Sequence, residues 1–161
     1  MSRTLKTAGV VTVLTVATLL ASCTGPGESR PPPTGPLGMA QAPPPPDLDQ
    51  EKIELGETLY QQHCATCHQP DLTGDPNWKT PNEDGSYPPP PHDSTGHTWH
   101  LSDQVLLELV RDGSDFPQTR MPSFADTLSD DQIIAILEFI KSQWGPQEQA
   151  YQWLITWQES Q

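Results

Sequence analysis

The string His63-Cys64-Ala65-Thr66-Cys67-His68 constrains this 161-residue chain more than any other part of it. Cys64, Cys67 and His68 form C-x-x-C-H, the attachment motif of c-type haem. The reason is geometric. Two thiols three positions apart each add across one vinyl group of a porphyrin, and the next residue, His68, directs its imidazole at the iron as proximal ligand. Two other chemistries use paired cysteines. A thioredoxin-like pair expects a βαβ pattern nearby, and none is visible. A zinc site needs a second ligand pair, for which His97 and His100 are the candidates.

The charge balance removes further classes. The chain carries 21 acidic and 8 basic residues, a net charge of −13. Phosphate affinity needs Lys and Arg, so no nucleic-acid partner is expected. The hydrophobic fraction is 34%; even with glycine counted it stays below the usual ~45–50%. A polytopic membrane protein is excluded, and a globular domain of this composition needs help to fill its core. A buried haem supplies that material.

Residues 1–22 read as an export signal, with Arg3 and Lys6 ahead of an uncharged stretch from Ala8 to Ala21. That stretch is shorter than the ~20 residues a spanning helix needs. Leu20-Ala21-Ser22-Cys23 resembles the bacterial lipoprotein box, which implies a lipid on Cys23 once the signal is removed. Removing 1–22 deletes two basic residues and no acidic ones, which takes the net charge to −15. Residues 23–46 then form a lipid-anchored linker holding nine of the nineteen prolines. Extended at ~3.1 Å per residue, it reaches roughly 70 Å. From residue 47 onward the chain holds 20 acidic and 5 basic residues, so the negative charge belongs to the domain and its tail.

Helix signals frame the motif. Gly56, Tyr60 and Cys64 are spaced four apart and share a face of a helix expected from about 49 to 67. Ser102 caps a second helix, about 103–111, stopped at Asp112-Gly113. Ser129 with Gln132 makes a capping box for a third, about 130–144, ended by Gly145-Pro146. Pro146 suits the first turn of a last helix in the tail, 146–161.

These elements, in this order, resemble class I (monohaem) c-type cytochromes over about residues 50–145. The resemblance implies an all-α cytochrome c fold, with helices around one covalently attached haem c, preceded by the proline-rich tether. It bounds the haem domain at 47–145, with 146–161 as a C-terminal helical extension. It implies Met121, in Arg120-Met121-Pro122-Ser123-Phe124, as the second axial ligand opposite His68. It pairs Gly56 and Tyr60 with a crossing C-terminal helix. The family often has an aromatic where Ile136 stands, so a different packing is expected there, with Phe139 able to substitute only from a neighbouring face. The family also orients its proximal histidine with a backbone carbonyl from a proline-bearing loop; Pro76 and Pro81 are both candidates.

Residues 69–100 are less familiar as class I sequence. Pro88 to His100 (PPPPHDSTGHTWH) resembles a segment found in a set of bacterial cytochrome c domains, with no role assigned. His92, His97 and His100 have three competing roles: bonding haem propionates or holding the loop, replacing Met121, or binding another metal. Trp78 and Trp99 carry N–H donors able to reach a propionate.

The function implied is one-electron transfer, with no catalytic residues, between respiratory or other membrane-associated redox partners. The acidity implies partners with a basic docking face. The signal implies an exported protein, lipid-anchored to a bacterial membrane, with its haem domain in the periplasm or outside the cytoplasmic membrane. A haem-based sensor and an electron-entry subunit of a larger oxidase or dehydrogenase are the alternatives.

Overall fold

The computed structural model describes residues 42–161 except 115 and 117. The expected export signal, Cys23 and the tether up to residue 41 lie outside the described residues. Among those described there are five α-helices and no strand, as the all-α expectation requires.

Helix α1, Gln50–His63, opens on Asp49, whose carboxylate accepts hydrogen bonds from the N–H groups of Glu51 and Lys52. The sequence predicts one helix through Cys67. Instead α1 is interrupted at Cys64, whose φ of −112° is wide for a helix though still in the right-handed region, and a single turn follows as α2, Ala65–His68. Cys64 is buried and Cys67 exposed.

Helix α3, Asp103–Asp112, is capped by the Ser102 hydroxyl, which accepts from Val105 N–H. Helix α4, Asp130–Ser142, has the expected capping box between Ser129 and Gln132. Both match their sequence signals to within two residues.

Helices α1 and α4 cross at Gly56. A Cβ there would collide with the Ala135 carbonyl group, 2.5 Å from its carbon. Glycine therefore sets how closely the two backbones approach. Beside the crossing, Tyr60 and Ile136 are fully buried. Phe139 does the work of the missing aromatic after all: its ring centre lies 5.4 Å from that of Tyr60, tilted by 58°.

Helix α5, Pro146–Glu159, packs back on the domain. Its buried Gln152 donates to the Leu101 carbonyl and the Asp103 carboxylate, and Thr156 Oγ1 accepts from Asp103 N–H. Tyr151 meets Trp99 and His100 edge to face. Trp153 Nε1 reaches across to the Pro43 carbonyl at 2.8 Å. None of the described helices is long and apolar enough to cross a membrane.

Candidate haem site

The C-x-x-C-H residues sit where α1 gives way to α2. Cys64 N–H still donates to the Tyr60 carbonyl at 2.8 Å, and His68 N–H donates back to the Cys64 carbonyl at 2.9 Å. This one-turn bend holds both thiols and the imidazole on a short stretch of chain. The thiols are unpaired. Burial, helped by neighbouring Cys67, pushes the Cys64 thiol up to about 11. A thiol that high is protonated at neutral pH, the reverse of the activated cysteine a dithiol redox motif needs.

His68 is buried, with 8% of its surface exposed. Its Nδ1 lies 2.9 Å from the Pro90 carbonyl oxygen. A carbonyl only accepts, so Nδ1 carries the proton and Nε2 keeps its lone pair. Burial lowers the His68 pKa, and the Pro90 bond partly offsets this. The imidazole is thus held neutral, in the tautomer a metal ligand needs. Neither Pro76 nor Pro81 plays the orienting part; both lie closer to His68 in sequence, but the chain must first turn back before a carbonyl can face the ring. The available signal was the run Pro88–Pro91. Prolines offer carbonyls and no competing N–H groups.

The turn that delivers Pro90 is tightly built. His68 is followed by two non-glycine residues with left-handed backbone, Gln69 at φ 66° and Leu72 at φ 65°. Gly74 at φ +63° follows, and a Cβ on it would lie 2.5 Å from the Pro90 carbonyl carbon. Gly96 is equally hemmed in, with its Cβ position 2.8 Å from the Pro91 carbonyl carbon. Asp75 N–H donates to the Pro89 carbonyl and His92 N–H to the Leu72 carbonyl.

The three loop histidines part company. His92 stacks on His68, ring centres 3.8 Å apart and planes 22° from parallel. His97 packs against Trp78, and His100 against Trp99. A ring in stacking contact with the proximal imidazole cannot also bind the opposite face of the same iron, so His92 is no rival to Met121. Among the described residues no three His, Cys, Asp or Glu side chains gather as a metal site, so the Cys2His2 alternative does not assemble. Among the described residues, two buried side-chain nitrogens lack a partner, His92 Nδ1 and Trp99 Nε1.

Met121 is half-buried and packs against the main apolar cluster together with Phe124. Its loop folds back on the end of α3. Ser123 Oγ donates to the Arg111 carbonyl, and Phe124 N–H to the carbonyls of Val110 and Arg111. Gly113 at φ +79° is needed here, because a Cβ would lie 3.0 Å from the Met121 carbonyl oxygen.

The donor set fits a covalently held haem: two free thiols, a neutral buried imidazole with Nε2 available, and a thioether on a separate loop of the same core. Comparison with characterised proteins and with solved structures gives no match. The family model described as cytochrome c matches residues 53–144, from within α1 to just past α4. Domains of that family carry a covalently attached haem c, act as haem-based electron carriers and are typically exported. The chain belongs to the cytochrome c family.

Proposed function

We propose that this chain is a membrane-tethered, single-haem electron carrier with His/Met ligation. Cys64 and Cys67 would hold the haem through thioether bonds formed by adding their thiols across its vinyl groups, and His68 and Met121 would ligate the iron. The observation that carries this reading is the His68 ring: neutral, buried, bonded through Nδ1 to Pro90, directly after the free thiol of Cys67 and four residues after that of Cys64.

When bound, the haem supplies a ferrous/ferric couple that takes up one electron at a time. The protein's own residues do the rest. Pro90 fixes the tautomer and direction of His68. Tyr60, Phe139 and Ile136 form a buried apolar core at the α1–α4 crossing, next to the turn that carries His68. The soft thioether of Met121 favours the reduced metal and raises the potential. No step needs a proton to be moved by a side chain.

Lipidation of Cys23 would set the domain on a membrane through its proline-rich tether and raise its effective concentration near membrane-bound partners. With 20 acidic and 5 basic residues from position 47 onward, the partner's docking face is basic. Association then slows as ionic strength rises, and rates indifferent to salt would rule out such a face.

The deciding experiment is a spectrum of the haem-loaded protein. The oxidised form should show the weak far-red charge-transfer band of methionine-bound haem iron. Bis-histidine features in its place would overturn the Met121 assignment. Mass spectrometry of the mature N-terminus tests the anchor: it should begin at a lipid-bearing Cys23, and an unmodified N-terminus would refute the tether.

A further inference from the structure

We propose that His92 is a positioning residue that fixes the plane of the proximal imidazole. Pro90 leaves one freedom of the His68 ring open. One hydrogen bond from Nδ1 to a carbonyl fixes a direction, but the ring can still swing about that bond. A second constraint against the ring face removes this freedom. His92 supplies it from the same loop, two residues after Pro90, with its ring 3.8 Å from that of His68 and nearly parallel.

For such a stop to be effective it must itself be rigid, and His92 is held on every side. Its N–H donates to the Leu72 carbonyl at 2.8 Å. Its carbonyl accepts from Trp144 Nε1 at 2.8 Å, beyond the end of α4. Two residues on, Ser94 Oγ accepts from Gly145 N–H at 2.9 Å. Tyr60 meets the His92 ring edge-on with centres 6.0 Å apart. The wall behind His68 is thus anchored to Tyr60 of α1 and to the turn between α4 and α5.

Packing alone does not account for an imidazole at this place. Its Nδ1 is sealed from solvent without a partner, which costs free energy that a hydrocarbon of similar size would not incur. What a flat ring adds over an aliphatic one is a face that lies parallel to another imidazole. The plane of an axial imidazole governs how unpaired spin spreads over the haem in the ferric state and contributes to the balance between the two oxidation states. Orientation of a metal-bound histidine by neighbours is a general means of tuning a site.

The inference rests on His68 being the axial ligand, so the test reads that separately. The haem-loaded full chain is compared with His92→Leu and His92→Phe by proton NMR of the ferric form and by redox titration. Hyperfine-shifted signals of an axial imidazole in the unaltered protein are the control; their absence would overturn the ligand assignment itself, and this inference with it. His92→Leu should reorder the haem methyl shifts and change the ferrous-to-ferric balance at least threefold, about 28 mV at 59 mV per tenfold. His92→Phe keeps a flat face and should retain the methyl order of the unaltered protein. Methyl shifts and potential unchanged in His92→Leu would overturn the inference. Should that variant fail to load haem, a reordered methyl pattern in His92→Phe would overturn it alone.

Discussion

The wall behind His68 and the loop that carries Met121 are built by different means. The wall draws on residues far apart in the chain: Trp144 reaches back 52 positions to His92, and Pro90 reaches His68 across 22. The Met121 loop is braced by the end of α3, where Ser123 returns 12 positions to Arg111, and by the loop at 84–87, where Tyr87 N–H donates to the Gln118 carbonyl and Asp84 pairs with Arg120. Non-local bonds tie the first region to the packing of the whole domain. Those of the second run to the end of α3 and to another loop, not to the helix crossing. One proposed axial ligand is therefore part of the fold's frame, and the other is carried on an arm braced by two neighbouring segments.

That contrast can be broken in several ways. The largest effect is expected from removing both thiols: Cys64→Ala with Cys67→Ala should abolish covalent attachment, so that acidified organic solvent extracts all the haem. Retention of the haem would show that the bend at Cys64 is not its attachment point. Met121→Ala should next remove the far-red band, open the reduced iron to carbon monoxide, and lower the potential by more than the ~59 mV of a tenfold change. Helical circular dichroism should stay as it was, because Met121 lies between α3 and α4 and in neither. Loss of helix in that variant would mean the two regions are not separable.

On the wall side the expected loss is of stability. Gly56→Val forces a side chain into the Ala135 backbone and should cost about 1–3 kcal/mol in urea unfolding. Trp144→Phe keeps most of the ring but leaves the His92 carbonyl without its donor, for about 1 kcal/mol by the same measurement. The smallest effect belongs to the arm. Arg120 pairs with Asp84 at an exposed site, with side chains 71% and 49% accessible. Arg120→Gln should therefore change stability by less than about 1 kcal/mol. A larger loss would show that the arm is tied down more firmly than its contacts suggest.

The same division separates what the sequence revealed from what it hid. Helix α4 could be read from Ser129 and Gln132, because a capping box is complete within four residues. Gly56 pointed to a helix crossing, and the crossing is there. The haem motif is contiguous and equally plain. The carbonyl that orients His68 was out of reach, since nothing in the spacing of Pro76, Pro81 or Pro90 tells which one an irregular loop brings home. The His92 stack was hidden for the same reason. Helical spacing lets Phe139 substitute only from a neighbouring face, and from there its ring meets Tyr60. A tilted ring covers that angular gap, and a wheel of Cβ positions does not represent ring tilt.

The hydrogen bond from Trp153 to Pro43 has a mechanical side. A pull arriving through the residues before 42 does not act first on α1, the helix that leads into Cys64. It meets the Trp153–Pro43 bond and then the bond from Asp49 N–H to the Glu138 carboxylate. Both hand the load to α5 and α4, and so to the back of the domain. The segment works as a strain relief does on a cable, shielding the soldered joint from movement of the lead.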